Sequence, residues 1–204
     1  IGTTTPWTIP GNRALAVHND IEYKSLNLKI NDGNKNVIIA SDLIESFIKE
    51  NKIEEYKVNF SIKGHELTNT FCKHTLYDSG YNFEVPILHG DFVTTEQGTG
   101  IVHICPVHGM DDFILGKQHD LELPMTINES GIYYDHIPVF NGQHIFKVDQ
   151  NVCDEIKKNK NLISQGILVH SYPHSWRSKA PLVYKNTSQW FISMDTNDLR
   201  TKAL

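Results

Sequence analysis

The sequence GTGIVHICPVHGMDD, at residues 98–112, constrains the fold and the chemistry of this chain more than any other segment. It begins with a glycine turn and continues as a short apolar stretch, which predicts a strand over residues 100–105. A loop with a proline, two histidines and two adjacent carboxylates follows. His and Asp side chains at the end of a strand are a common way to build a site on a rigid scaffold. We therefore expect a functional site in this strand-end segment (residues 98–112).

The two carboxylates, Asp111 and Asp112, lie where a following helix would begin, and the pattern predicts that this helix runs to about residue 119. Carboxylates are favoured in a first helical turn because the backbone N–H groups there are exposed. This structural explanation is sufficient for Asp111 alone.

Outward from this segment, the chain shows many short strand patterns and few helices. Further strands are predicted at 14–18, 23–30, 37–40, 56–62, 67–72, 84–93, 166–171, 181–186 and 188–194. Residues 31–34 give a hairpin turn signal. Asp42 and Glu45 resemble a capping box before an apolar helical stripe, and a polar helix is predicted over 149–160. The pattern predicts a strand-rich α+β domain, similar to a β-barrel, with a few peripheral helices.

The composition limits the compartment and the partners of the chain. Its 204 residues suit one domain, and no apolar run is long enough to span a membrane. The cysteines are odd in number and have no paired spacing, which indicates a reducing, cytoplasmic location: Cys72, Cys105 and Cys153. The net charge is −5, whereas a protein that binds nucleic acid on its own usually carries a basic excess. If this chain binds nucleic acid, something other than the chain must supply most of the affinity for the phosphates.

A second unusual segment, TTTPWTIPGN, occupies residues 3–12 and is called the threonine peptide below. Its three consecutive threonines favour an extended backbone, and Pro6 biases Thr5 away from a helix. A strand here would present hydroxyl and backbone groups to a small polar ligand, with Trp7 as an apolar wall. An ordinary edge strand with Trp7 in the core explains the same residues equally well.

A metal site is an alternative for the strand-end segment. Zinc sites use these residue types, and a catalytic site needs three protein ligands, here His103, His108 and Asp112. The spacing gives little support, because the sequence has neither Cys-x-x-Cys nor His-Glu-x-x-His. Serine-hydrolase and phosphate-loop motifs are absent as well.

Three segments together resemble isoleucyl-tRNA synthetase, a class I aminoacyl-tRNA synthetase. They are the threonine peptide, the strand-end segment, and a tail that reads HSYPHSWR at 170–177 and QWFISM at 189–194. They occur in the family's order. The related valyl and leucyl enzymes carry an arginine after the paired threonines, where this chain has Thr5, so the resemblance is to the isoleucyl branch. The ATP-binding and anticodon-binding signatures are missing. The resemblance thus implies that residues 1–204 are a single editing domain excised from a larger synthetase, with chain ends that would join the catalytic domain.

The resemblance implies hydrolysis of the ester of misacylated valyl-tRNA(Ile), and leaves open a similar action on valyl-adenylate. It makes Asp112 the anchor for the α-ammonium group and His103 the filter that excludes isoleucine. It also implies direct attack by water, oriented by threonine hydroxyls, backbone groups or the substrate's own ribose hydroxyl, and leaves open which group activates the water. The implied catalytic residues are Asp112, Thr3, Thr5 and His103. The implied substrate-binding residues are Thr4, Trp7, Thr8 and Tyr172.

The resemblance implies that the editing domain needs no cofactor and no metal. It implies that the parent synthetase uses ATP and Mg²⁺. The implied partners are tRNA(Ile) charged with valine, valine or valyl-adenylate, and the rest of the synthetase. We expect no membrane contact and a monomeric protein. Two alternatives stay open: the metal-dependent hydrolase built on His103, His108 and Asp112, and a tRNA-binding module without catalysis.

Overall fold

A computed structural model describes residues 1–30, 33–169 and 171–204. Its strands are Ala14–Val17 (β1), Glu22–Ile30 (β2), Gly33–Ala40 (β3), Glu55–Lys63 (β4), Phe71–Lys73 (β5), Glu84–His89 (β6) and Val102–Ile104 (β7). Its α-helices are Ile44–Glu50 (α1), Gly64–Leu67 (α2), Met110–Gln118 (α3), Ile145–Lys158 (α4) and Leu199–Ala203 (α5). Short 3-10 helices occupy Pro6–Gly11, Ser41–Leu43, Tyr77–Ser79 and Thr196–Asp198.

A four-stranded mixed sheet, in the order β5-β6-β1-β7, carries the strand-end segment. β1 runs parallel to β6 and antiparallel to β7, so that Leu15 lies between Ile87 and His103. Ala14, Ala16 and Val17 of β1 are fully buried. β1 is an apolar strand with a neighbour on each side, so it forms a rigid base. It supports His103, which lies on the adjacent strand β7.

A second sheet is antiparallel, in the order β3-β2-β4, and meets the first sheet at the glycine turn. There the Tyr23 hydroxyl donates to the Gly100 carbonyl at 2.8 Å, and the Ala40 N–H donates to the Thr99 carbonyl at 3.0 Å. Gly100 has φ of +70°, and a Cβ on it would lie 2.4 Å from the Cβ of Ala40. Only glycine fits this turn, because both the backbone conformation and the close approach exclude a side chain.

The helix α4 packs against the threonine peptide. Buried side chains of α4, among them Ile145, Val148 and Val152, form one hydrophobic cluster with Trp7 and Ile9. The imidazole of His144 accepts from the Phe146 N–H at the start of α4, and lysines end the helix where its dipole favours them. Among the described residues, every helix is too short or too polar to traverse a lipid bilayer.

The strand-rich α+β class is confirmed, although the described strands form two separate sheets and no closed barrel. The predicted strands at 14–18, 23–30, 56–62 and 100–105 correspond to β1, β2, β4 and β7. The helix predicted to run to residue 119 is α3. The polar helix α4 begins at Ile145, four residues before its predicted start. The first two residues of the predicted turn at 31–34 lie outside the described residues.

Two local predictions near the first helices are wrong. Asp42 and Glu45 form no capping box, because the chain leaves β3 through the 3-10 turn Ser41–Leu43 and α1 begins at Ile44 without a side-chain cap. The strand predicted over 67–72 is interrupted, because Asn69 has a positive φ of 63° and only Phe71–Lys73 is extended in a sheet.

Two larger segments also differ from prediction. The threonine peptide is not a strand, because Pro6 starts a 3-10 helix, and the fixed φ of proline suits the first position of a helical turn. The described residues of 166–194 form no strand and only one isolated bridge, between His174 and Pro181. Most of their apolar side chains are exposed, as for Ile167 and Trp190, although Val183 packs against the core cluster under α4. The described residues of this segment pair with neither sheet, so their alternating pattern makes no ladder.

Candidate functional site

His103 joins the strand-end segment to the threonine peptide through both of its ring nitrogens. The Asn12 side-chain N–H donates to Nδ1 at 2.6 Å, and Nε2 lies 3.1 Å from the Thr8 hydroxyl oxygen. An amide nitrogen only donates, so Nδ1 is the acceptor and the ring proton is on Nε2. The Thr8 hydroxyl in turn donates to the Thr5 carbonyl at 2.9 Å. The donors and acceptors in this series of hydrogen bonds are therefore mutually consistent for one neutral tautomer of His103.

Burial holds His103 in that neutral form. It lowers the pKa of His103 to about 3, and the nearby His74 lowers it further. Hydrogen bonding to the Thr8 backbone opposes these effects on the pKa of His103. With both nitrogens engaged and no charge near neutral pH, the His103 ring is held in place and has no free nitrogen to accept a proton from water.

Asp112 lies in the first turn of α3 and points back toward the end of β7. Its Oδ2 accepts from the Cys105 N–H at 2.7 Å. Burial raises the pKa of the Asp112 carboxyl, the Cys105 N–H lowers it, and the neighbouring Asp111 raises it. A carboxylate fixed through one oxygen keeps further lone pairs for a cationic ligand.

The threonine peptide is held by side chains that are distant in sequence. The His74 Nε2–H donates to the Ile9 carbonyl at 3.0 Å, and burial lowers the pKa of His74 to about 4. The Trp7 N–H donates to Asp149 Oδ1 at 3.0 Å, and the Tyr133 hydroxyl donates to the Trp7 carbonyl.

The three threonines at the start of this peptide precede the 3-10 helix. The Thr5 N–H donates to the Thr3 hydroxyl at 3.1 Å. Thr3 and Thr4 are exposed, and Thr5 is half-buried. Thr3 and Thr4 therefore lie exposed beside the hydrogen bonds that link Thr5, through Thr8, to His103.

Gly11 and Cys105 form the joint between the two segments. A Cβ on Gly11 would lie 2.5 Å from Cys105 Sγ and 3.2 Å from Thr126 Cγ2. No side chain fits at Gly11 without a shift of its neighbours. Cys105 is buried, and burial together with the Asp112 charge raises the pKa of its thiol to about 12.

His108 contacts three parts of the chain. Its Nδ1–H donates to the Tyr184 carbonyl at 2.8 Å, so its Nε2 accepts from the Thr126 hydroxyl, at 2.6 Å. The ring meets Trp7 edge-on, with centroids 4.7 Å apart. Burial lowers the pKa of His108.

These contacts weigh against the metal alternative. The ring nitrogens of His103 and His108 are all engaged within the protein. In the part of the chain that the structure describes, no group of three or more His, Cys, Asp and Glu side chains is arranged to hold a metal ion. The donor set of His103, His108 and Asp112 therefore does not fit a metal centre.

The two expected wall residues lie in different surroundings. Trp7 is only 6% exposed and belongs to the core cluster under α4. Tyr172 is half-buried, and its hydroxyl donates to the Leu182 carbonyl at 2.9 Å. Burial raises the pKa of Tyr172, and the nearby Tyr184 and Asp149 raise it further. Residue 170, where the tail motif begins, lies outside the described residues.

The structure thus unites Thr5, Thr8 and His103 in one hydrogen-bonded chain. Asp112 is fixed beside the end of the same strand. Sequence reasoning missed five residues that position this arrangement: Asn12, His74, Thr126, Tyr133 and Asp149. Asn12 is the last residue of the threonine peptide, and its place in that motif was the one signal that could have marked it. The other four have no local signal, because their partners are far away along the chain.

Comparison with known proteins gives a consistent result. The family model described as "Leucyl-tRNA synthetase, editing domain" matches residues 3–172. The isoleucine–tRNA ligase of Pelagibacter ubique is 48% identical over 207 residues, and that of Pseudoalteromonas atlantica is 39% identical over 204. Each alignment covers 100% of this chain but 23% and 21% of the respective ligase, so the chain spans less than a quarter of these relatives.

Two solved structures share the fold. The structure described as GlLeuRS-CP1 has a TM-score of 0.60 and 15% identity, and the alignment covers 84% of this chain and 83% of that one. The editing domain of the Plasmodium knowlesi cytosolic leucyl-tRNA synthetase has a TM-score of 0.54 and 15% identity, with 77% and 80% covered. At this identity the likeness concerns the fold alone.

Proposed function

This chain belongs to the editing domains of the leucyl- and isoleucyl-tRNA synthetase family, and from that premise we propose that it hydrolyses the ester of valyl-tRNA(Ile). The observation that carries the proposal is the chain of hydrogen bonds from Asn12 through His103 to Thr8. It makes His103 a rigid, neutral wall, and a size filter needs such a wall.

The need for a second filter follows from the energetics of small ligands. A pocket rejects a ligand that is one methylene too small by only ~1–3 kcal/mol, a figure known for isoleucine against valine in this enzyme class and not obtained from this chain. Valine is therefore attached to the wrong tRNA at a low frequency. A second pocket that admits valine and excludes isoleucine removes the error.

In the proposed mechanism, Asp112 binds the α-ammonium group of the aminoacyl ester through a charge-assisted hydrogen bond. The hydroxyls of Thr3, Thr4 and Thr5 bind the polar groups of the substrate and orient a water molecule. That water adds to the ester carbonyl carbon, the bond to the ribose oxygen breaks, and the ribose oxygen takes a proton that the attacking water has released. The products are valine and tRNA with a free ribose hydroxyl.

His103 serves this reaction by shape. Both of its nitrogens are engaged and its pKa is about 3, so it does not serve as the base. Thr8 fixes the His103 ring, and Trp7 and Tyr172 would complete the apolar wall. Valyl-adenylate carries the same ammonium group and side chain, and we propose it as a second substrate of the same pocket.

We further propose that the parent polypeptide is a monomeric, cytoplasmic isoleucine–tRNA ligase that uses ATP and Mg²⁺. Its other domains would supply most of the affinity for tRNA(Ile), because the net charge of this chain is −5.

The proposal is tested by following hydrolysis of valyl-tRNA(Ile) and isoleucyl-tRNA(Ile) in the complete polypeptide that carries this chain. The unsubstituted protein should cleave the valyl ester and spare the isoleucyl ester. His103→Ala should raise cleavage of isoleucyl-tRNA(Ile) by about tenfold or more, because one methylene is worth ~1–3 kcal/mol. His119→Ala, at the exposed end of α3, is the matched control.

Two results would contradict the proposal. Binding of valyl-tRNA(Ile) without hydrolysis would identify a tRNA-binding module. Unchanged cleavage of isoleucyl-tRNA(Ile) by a folded His103→Ala protein would remove His103 from the size filter.

A further inference from the structure

The main chain of Trp7 is held on both sides by side chains from the α4 region. Its N–H donates to Asp149 Oδ1 at 3.0 Å, and its carbonyl accepts from the Tyr133 hydroxyl. Pro6 has no N–H, and the Thr8 N–H is already bonded to the Thr5 carbonyl at 3.0 Å. The Trp7 N–H is therefore the first donor of the 3-10 helix Pro6–Gly11, and its acceptor lies 142 residues away in sequence.

Asp149 lies on α4 next to the buried Val148, and its bond to the Trp7 N–H is partly shielded from solvent. Partial burial raises the pKa of the Asp149 carboxyl, and the Trp7 N–H lowers it. The charge of Asp149 contributes to the raised pKa values of both Tyr133 and Tyr172. The 3.0 Å bond to the Trp7 N–H places this carboxylate beside the Trp7 main chain.

A displacement of Trp7 would be transmitted to the size filter. The Thr8 hydroxyl contacts His103 Nε2 at 3.1 Å and donates to the Thr5 carbonyl at 2.9 Å. Thr5 and Thr8 lie on either side of Trp7 in one hydrogen-bonded turn. They therefore move as a unit when the Trp7 peptide moves.

We propose that Asp149 is a positioning residue for the editing reaction, a role that rests on the proposed function. By holding the Trp7 N–H, its carboxylate fixes Thr5 next to the substrate and Thr8 against His103. Asp149 touches neither the substrate nor the reacting water. It acts through the threonine peptide on both the rate and the selectivity.

The test compares three variants in the complete polypeptide: Asp149→Ala, Asp149→Asn and Asp154→Ala. The asparagine keeps an oxygen acceptor at the same place, whereas the alanine removes it. Asp154 is an exposed carboxylate of the same helix that accepts from the Gln150 amide, so it controls for the loss of charge. The measurements are kcat and KM for valyl-tRNA(Ile), and the ratio of valyl to isoleucyl ester cleavage.

Asp149→Ala should lower kcat by about tenfold or more, the effect of losing a hydrogen bond to a charged group. It should also lower the valyl-to-isoleucyl ratio while KM stays within about twofold, because tRNA binding is supplied elsewhere. Asp149→Asn should stay within about threefold of the unsubstituted kcat, since a neutral acceptor retains part of the bond energy. Asp154→Ala should leave all three values unchanged.

An independent readout is the hydrogen exchange of the Trp7 amide, which should be faster in Asp149→Ala than in Asp149→Asn. Equal kcat losses in the alanine and asparagine variants would overturn the inference. So would an equal loss in Asp154→Ala, or a lower melting temperature with an unchanged kcat per folded molecule. If the unsubstituted protein cleaves neither ester, the proposed function fails and the positioning role fails with it. If it cleaves valyl-tRNA(Ile) and Asp149→Ala does so equally fast, only the positioning role fails.

Discussion

The two segments that meet at the candidate site are held in place by different means. In the strand-end segment, the bond from the Cys105 N–H to Asp112 spans seven residues. In the threonine peptide, the bonds to His74 and Asp149 span 65 and 142 residues. The position of Asp112 is thus determined by residues close to it in the sequence. The position of the threonines depends on the assembled domain.

This difference has a physical consequence for variants. A contact between near neighbours survives when remote parts of the domain loosen, because little chain entropy is spent in closing it. The contacts that hold the threonine peptide join distant parts of the sequence, so they are lost when those parts loosen. Substitutions in the strand-end segment should therefore act on chemistry, and substitutions around the threonine peptide should act through stability and geometry.

The largest effect is expected from Asp112→Ala, which removes the anchor of the locally held segment. Loss of one partner of a hydrogen-bonded charge pair costs ~2–5 kcal/mol, so hydrolysis of valyl-tRNA(Ile) should fall at least about thirtyfold. The fold should persist, with about 1–3 kcal/mol lost because the Cys105 N–H has no acceptor. Single-turnover deacylation and urea unfolding measure the two quantities.

Asp111→Ala is the matched control, because Asp111 is exposed and adjacent. It should stay close to the unsubstituted activity. Normal hydrolysis by folded Asp112→Ala protein would show that the ammonium group is anchored elsewhere.

The next effect is expected from Gly11→Ala, which forces the two segments apart at their joint. The new Cβ would lie 2.5 Å from Cys105 Sγ, and overpacking of this kind costs about 1–3 kcal/mol of unfolding free energy. Gly166→Ala is the control, since nothing lies within 4 Å of its Cβ position. Urea midpoints give the comparison.

Adding Cys105→Ala to Gly11→Ala should restore part of the lost stability, because the closest clashing atom is removed. Equal midpoints for Gly11→Ala and Gly166→Ala would mean that the joint is looser than the distances indicate.

The third effect concerns pH and the distantly held peptide. The pKa of His74 is about 4 in the folded protein and ~6.5 in an unfolded chain, so the unfolded state binds more protons between these values. The stability contributed by neutral His74 is complete above about pH 6.5. It is lost as the pH falls toward 4, at about 1.4 kcal/mol per pH unit.

His74→Gln removes this titration and keeps a donor for the Ile9 carbonyl. Urea unfolding at pH 7, 6 and 5 should therefore give a flatter pH dependence for the variant. His103 has a similarly lowered pKa and contributes with the same sign to both proteins. Parallel curves for the two proteins would exclude His74 as a source of acid sensitivity.

The sequence predicted what near neighbours determine. The turn at Gly100, the strand β7 and the start of α3 at Met110 follow from local glycine, apolar and acidic signals, and the structure has all three. His103 and Asp112 were identified as candidate residues because they lie in this segment, which resembles a motif of the family. Their assignment to substrate is still a prediction.

What could not be predicted depends on distant partners. The threonines favoured an extended chain, but packing on α4 and the bonds from Asp149 and Tyr133 stabilise a 3-10 helix there. Asn12 could not be recognised as the partner of His103, because the two are 91 residues apart and meet only after β1 and β7 pair. The strand prediction for 166–194 was wrong because the described residues there pair with neither sheet, and an alternating pattern does not encode its pairing partner.

The burial of Cys105 has a practical consequence for observing this site in solution. With its pKa raised to about 12 and its sulfur covered at the joint with Gly11, the thiol is unreactive in the closed protein. An alkylating reagent modifies it only when the two segments separate. The rate of modification, compared with that of an unfolded chain, therefore gives the free energy of this local opening. Cys105 is a natural reporter of how often the two segments of the candidate site separate.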